Sequence, residues 1–196
     1  MKHYFSKEPK VKQLFLESNT LREWQKALNK LAPILIKEQP ERYRSINPDD
    51  DIAKIKGDAF EVFCELFVNI LGIHPHIGID KYEPTEEGYV GIDAFGVNLE
   101  NERCAIQCKY MEDPTHELTS GNSNIANFPA RAEADNIHWG VVTKHKKLFL
   151  ITTGAGLNYQ TIENYRNRIF IINNKTIKKL VDKNLLFWRK CIELLT

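Results

Sequence analysis

Two short segments hold the residues best suited to chemistry, Gly91-Ile92-Asp93 and Gln107-Cys108-Lys109, with thirteen residues between Asp93 and Gln107 and with Glu61 upstream. A carboxylate, an amide and an amine gathered this way suit hydrolysis of a phosphodiester. That reaction uses a divalent ion to polarise the phosphate and to lower the pKa of an attacking water. Magnesium takes one or two carboxylates and fills its remaining positions with neutral oxygens. Asp93 is the expected central ligand. Gln107 offers its amide oxygen, Cys108 its peptide carbonyl, and Glu61 binds directly or through water. Lys109 then orients or deprotonates the water and stabilises the developing charge. Manganese can substitute for magnesium.

These residues need elements to hold them together. The runs Tyr89 to Leu99 and Arg103 to Tyr110, joined by Glu100-Asn101-Glu102, predict a hairpin. Alternation along the second run places Ala105, Gln107 and Lys109 on one face and Cys104, Ile106 and Cys108 on the other. The second face is apolar and belongs under a helix. Gly57 to Leu71 predicts that helix, with Phe60, Phe63, Cys64, Phe67, Val68 and Leu71 at the helical period and Gly72 as its stop. On its wheel Glu61 falls at the border of the apolar stripe, whereas Asp58 and Glu65 lie further toward solvent. Two plainer readings compete. Glu61 is a solvated helix residue in one, and in the other Lys109 only pairs with Asp93.

Upstream, Lys10 to Ser18 and Thr20 to Lys37 predict helices, the second opened by a capping box of Thr20 and Glu23, with Pro33 expected to kink or end it. The polar, breaker-rich stretch from Gln39-Pro40 through Ile46-Asn47-Pro48 to Asp51 reads as a connection. It divides residues 1–50, a helical extension, from a main domain at 51–196. Asp80 to Gly88 reads as a charged loop. Downstream, a polar segment leads from Thr115 to Ala134 into a short helix. Strands at His138 to Thr143, Leu148 to Thr152 and Arg168 to Ile172 follow, with helices at Leu157 to Asn167 and Thr176 to Lys183. Leu185 to Leu195 is left as helix or strand. The fold class is α/β, a mixed central β-sheet flanked by helices, with an N-terminal helical extension.

The formal charge of +1 conceals an uneven distribution. Residues 1–56 carry net +4, residues 57–140 net −11 and residues 141–196 net +8. An acidic middle suits a cation, and basic ends suit phosphates; faces that merely balance in solvent are the plainer reading. Four cysteines without zinc-site spacing read as free packing thiols. His74 and His76 read as surface residues and not as a metal site. No apolar run approaches the roughly 20 residues of a membrane span, and the N-terminus has no signal-like core, so a cytoplasmic protein is expected.

Candidate DNA contacts follow from residue type and place. Asn122, Asn124 and Arg131 lie on the polar segment after the Gln107 strand. Lys144, Lys146 and Lys147 form a basic cluster that either tracks a phosphate backbone or solubilises a turn. Gly154-Ala155-Gly156 lacks the residues of a P-loop or a dinucleotide fingerprint and reads as a turn.

Taken together, the motifs resemble the PD-(D/E)XK nuclease superfamily, in its restriction-endonuclease-like, Mrr-type form where QxK replaces (D/E)xK. Lys56 to Glu61 is similar to the family's opening helix with its glutamate, Gly91 to Phe95 to its G-x-D strand, and Ala105 to Tyr110 to its vQcK strand. The resemblance covers about residues 54 to 185, and its register is weakest around Lys144 to Lys147. It implies a restriction-endonuclease-like sheet and a magnesium-dependent endodeoxyribonuclease of restriction, mobile-element or phage DNA processing. Asp93, Gln107, Lys109 and Glu61 would be its catalytic set. DNA is the implied partner, a homodimer is one option, and residues 1–50 could meet a protein partner. The alternative is a non-catalytic DNA-binding or protein-interaction module on the same fold.

Overall fold

A computed structural model describes residues 1–86, 91–119, 125, 127–138, 147–164 and 168–195. After a short 3-10 turn at Tyr4–Lys7 come helices α1 (Val11–Leu16), α2 (Leu21–Glu38) and α3 (Pro48–Leu71). Strands β1 (Ile79–Pro84), β2 (Ala94–Asn98) and β3 (Arg103–Lys109) follow, then β4 (Glu117–Leu118) and helix α4 (Asn127–His138). The remainder alternates as β5 (Lys147–Thr152), β6 (Gly156–Leu157), α5 (Tyr159–Asn164), β7 (Ile169–Ile172), α6 (Asn174–Val181) and α7 (Leu185–Leu194).

The main sheet has the order β1-β2-β3-β5-β7. Its first three strands form an antiparallel meander, and β5 and β7 add in parallel. The expected mixed sheet flanked by helices is present. Leu185 to Leu195, undecided from sequence, is helical. A separate two-stranded ribbon pairs β4 with β6.

Alternation on β3 sorts the side chains as expected. Cys104, Ile106 and Cys108 enter the large core with α3, while Ala105 joins a second cluster with Ile92, Phe128, Ala132 and Leu148. The sheet is therefore covered on both faces, by α3 and its neighbours on one and by α4 on the other. Phe63 sits at the middle of the larger core. Its ring lies 4.9 Å from Trp24 of α2, 5.9 Å from Phe187 and 6.3 Å from Trp188 of α7. Aromatic pairs in this range each add to the area they bury. All four cysteines are buried free thiols, in keeping with a packing role.

Several elements differ from the sequence expectation. Helix α3 begins at Pro48, nine residues before Gly57, so the end of the supposed connection, Pro48 to Asp51, is its first turn. Asn47 caps it through the Asp49 N–H, Pro48 takes the first turn where no N–H is needed, and Asp49, Asp50 and Asp51 suit the positive end of the dipole. Pro33 neither ends nor replaces α2, which runs through it to Glu38 on an exposed face. Residues expected as a charged loop contain β1, an edge strand that buries only Ile79 and Tyr82. His138 ends α4 and does not open a strand; the rest of that expected strand lies outside the described residues.

Gly72 closes α3 for a reason other than backbone freedom. Its φ of −58° is ordinary, but a Cβ there would stand 2.0 Å from the Ile79 carbonyl oxygen and 2.4 Å from that of Val68. Close approach of the chain leading to β1 demands glycine. This packing brings the edge of the sheet against the helix that carries Glu61.

Candidate active site

The antiparallel pairing of β2 with β3 sets Ala94 opposite Ile106, and so Asp93, one residue earlier, beside the end of β3. The carboxylate of Asp93 accepts the backbone N–H of Cys108 at 2.6 Å. A charge-assisted bond of this kind fixes the side chain. Gly91 provides the turn into this position with φ of +86°, and a Cβ there would come within 3.1 Å of Arg131 Cγ on α4. The positive φ favours glycine here, and the close side chain adds to the preference.

Asp93 is held well above the ordinary carboxylate range, at about 7. Burial is the largest cause and the nearby charge of Glu61 the second; Lys109, the Cys108 N–H and His3 act in the opposite sense. A buried carboxylate whose ionisation is disfavoured by a second carboxylate nearby forms a natural receptor for a cation. Lys109 acts on Asp93 through space. Among the described residues it has no ion pair within 4 Å, so it is not tied to Asp93 in a plain salt bridge.

Glu61 lies on the fourth turn of α3, partly exposed, and its Oε2 stands 2.9 Å from His3 Nε2. His3 Nδ1 accepts the Phe5 N–H at 3.2 Å, which leaves Nε2 protonated and donating to Glu61. The segment bearing His3 is clamped by a second carboxylate. Glu65, one turn further along α3, accepts the backbone N–H groups of Lys2 at 2.6 Å and His3 at 3.0 Å. Glu65 is only 2% exposed, which corrects its expected solvent-facing place. Asp58 likewise accepts the Tyr4 hydroxyl at 2.5 Å. The helix wheel described α3 as if nothing lay over its polar side, whereas the N-terminal segment covers it.

Gln107 is buried, and its side-chain amine reaches only the Gly91 carbonyl, at 3.5 Å. Its amide oxygen is buried and has no hydrogen-bond partner among the described residues. An orphaned acceptor in a folded interior calls for a partner of its own. The Cys108 thiol turns into the core, 3.4 Å from the Tyr82 hydroxyl, so only its peptide group belongs to the site.

A cleft of about 670 Å³ opens in front of Glu61 and Lys109, bordered by Lys56, Tyr110, Glu112 and His116. Lys56, nearly buried, is ion-paired with Glu112. Among the described residues no group of three or more His, Cys, Asp or Glu side chains gathers at metal-ligand spacing. The oxygen donors are instead the Glu61 carboxylate in the cleft, the buried Asp93 carboxylate that feels its charge, and the Gln107 amide oxygen, which lies outside the cleft lining. Hard oxygen donors with only one or two acids fit magnesium or manganese and do not suit zinc.

The expected peripheral contacts are placed unevenly. Arg131 is exposed on α4 beside Gly91. Lys147 opens β5, where it pairs with Glu100 at 2.8 Å and lies over the Phe170 ring. Asn122, Asn124, Lys144 and Lys146 lie outside the described residues. His3, Glu65 and Lys56 were not anticipated, and for His3 no spacing signal exists, since it lies 58 residues from Glu61. No helix among the described residues is long and apolar enough to cross a membrane.

No family model and no curated protein matches the chain. Among solved structures it is similar to protein VC1899 from Vibrio cholerae, at 15% identity and a TM-score of 0.42, the match covering 96% of this chain and 53% of that one. It is also similar to the DNA modification-dependent restriction endonuclease AspBHI, at 13% identity and a TM-score of 0.42, over 87% of this chain and 39% of that one. The chain thus spans about half the length of the first and less of the second.

Proposed function

We propose that this chain is a metal-dependent endodeoxyribonuclease, hydrolysing DNA phosphodiester bonds in restriction, mobile-element or phage DNA processing. The observation that supports it most is the pairing of Asp93 with Glu61, two carboxylates whose mutual repulsion and burial hold Asp93 near neutrality beside the amine of Lys109. Asp93, Glu61 and the unpartnered oxygen of Gln107 would hold magnesium or manganese, with the Cys108 carbonyl as a further donor. The ion would supply Lewis acidity toward the phosphate and a water of lowered pKa.

The protein's own groups do the rest. The Cys108 N–H fixes Asp93, and His3 fixes Glu61, so neither carboxylate must reorganise when the site loads. Lys109, without an ion pair among the described residues, presents an ammonium to the phosphate and stabilises the negative charge of the transition state. In its neutral form the same amine takes a proton from the attacking water.

The test is cleavage of plasmid, linear, branched and single-stranded DNA with and without magnesium, next to Asp93→Ala. Magnesium-dependent cutting that Asp93→Ala abolishes supports the proposal. Salt-sensitive DNA binding without cutting under any divalent ion would favour the non-catalytic module instead.

A further inference from the structure

The cleft at Lys109 is poorly charged for the polyanion it is proposed to cut. Four carboxylates, Asp49, Glu61, Glu112 and Asp113, line it against two lysines, Lys56 and Lys109. Even with one divalent ion bound, such a lining gives little attraction for a run of phosphates beyond the scissile one. Affinity must come from an adjoining surface.

One such surface meets the cleft directly. A groove of about 400 Å³ between α2 and α6 shares Tyr110 and Glu112 with the cleft, so the two adjoin at these residues. Arg22 and Lys26 of α2 and Lys178 of α6 line it, together with the amide of Asn29. All three basic side chains are exposed, and among the described residues none has an ion pair within 4 Å. Lys26 feels Glu23 only across the helix surface. The one acid in the groove, Glu112, is already neutralised by Lys56. The lining therefore changes from net acidic in the cleft to net basic in the groove. Its guanidinium, ammonium and side-chain amide groups are of the kinds that contact sugar-phosphate backbones.

We infer that the α2–α6 groove is a track for the phosphate backbone of duplex DNA, which leads one strand across Tyr110 to the cleft. The inference rests on the nuclease reading and adds to it the source of affinity. It also gives the N-terminal helix α2 a role in holding substrate. Contacts of this kind bind all sequences alike, so the track contributes position and affinity but no sequence preference.

The experiment compares wild type with Arg22→Gln/Lys26→Gln/Lys178→Gln. A control variant, Lys7→Gln/Arg189→Gln/Lys190→Gln, removes the same charge from exposed positions outside the groove. Binding of a linear duplex is measured over a range of salt with calcium in place of magnesium, and cleavage is measured with magnesium. The groove variant should bind at least about tenfold more weakly at moderate salt. Its slope of log K against log salt should be shallower by about 2 to 3, at about 0.9 per duplex phosphate. Its cleavage should recover at saturating DNA, a KM effect, while the control variant keeps the wild-type slope to within about one contact. A groove variant with wild-type affinity and slope, in a protein that does cut DNA, overturns the track and leaves the nuclease reading standing. A wild type that neither binds nor cuts DNA overturns both.

Discussion

His3 donates its Nε2 hydrogen to Glu61 at 2.9 Å, joining the N-terminal segment to the candidate site across 58 residues of sequence. The relationship is directional, because the Phe5 N–H occupies the other ring nitrogen. Glu61 therefore has one carboxylate oxygen held while the other stays available to a ligand. His3→Ala should raise the magnesium concentration for half-maximal cleavage by about tenfold, the usual cost of losing an outer partner of a metal ligand. His3→Gln, which keeps an N–H donor, should recover part of it. A magnesium requirement unchanged in both variants would show that His3 only packs the segment.

Lys109 has the opposite environment, with no ion pair within 4 Å among the described residues. Lys109→Ala and Lys109→Met should lower cleavage by about 10²- to 10⁴-fold, the range expected for a positioned proton-transfer or charge-stabilising group. Their thermal unfolding should stay close to wild type, since no ion pair is broken. Were Lys109 a structural partner of Asp93, both variants would instead lose stability, and the pair of measurements separates the two roles.

What the sequence makes legible follows the reach of each physical signal. Periodicity reports which face is buried, and it separates Cys104, Ile106 and Cys108 from Ala105 correctly because both sheet faces are covered. The same reasoning puts Gln107 and Lys109 on one strand, β3, whereas Asp93, expected inside the preceding strand, stands just before β2. It fails where polar residues are buried by tertiary contact. Glu65 looks solvent-facing on a wheel and is in fact clamped over backbone N–H groups of Lys2 and His3. The start of α3 was hidden for another reason. Asn-Pro-Asp-Asp-Asp carries both breaker residues and the chemistry of a helix N-terminus, and only the second applies here. Strand β1 was hidden because an edge strand with two buried residues gives no clear alternation.

Gly72 offers a test of the packing that holds α3 against the sheet. Its backbone is unstrained, so Gly72→Ala meets no dihedral penalty, yet the new methyl group would collide with two carbonyl oxygens. Backbone atoms cannot turn aside as a flexible side chain can. The substitution should destabilise the fold by about 3 kcal/mol or more, the upper end of overpacking costs. Gly57→Ala, with nothing within 4 Å of the new Cβ and a helical position, should stabilise by up to about 1 kcal/mol. Urea titration of the two variants checks both signs.

Asp93 links the stability of the fold to pH and to metal. The unfolded side chain ionises near its ordinary 3.8, but the folded one near about 7, through burial first and Glu61 second. Between those values the folded state keeps a proton that the unfolded state has released, so this group's contribution to stability falls as pH rises from about 4 to about 7 and is level above. Asp93→Asn removes the titration and keeps an oxygen for the Cys108 N–H. Its stability relative to wild type should therefore be on the order of 2 kcal/mol more favourable at pH 8 than at pH 5. Magnesium should act in reverse, because it binds the ionised carboxylate: it should raise the wild-type melting temperature more at pH 8 than at pH 6 and leave Asp93→Asn nearly unmoved. A difference between the two proteins that does not vary with pH would remove the basis for a shared cation at Asp93 and Glu61. A magnesium effect that persists in Asp93→Asn would place the ion elsewhere.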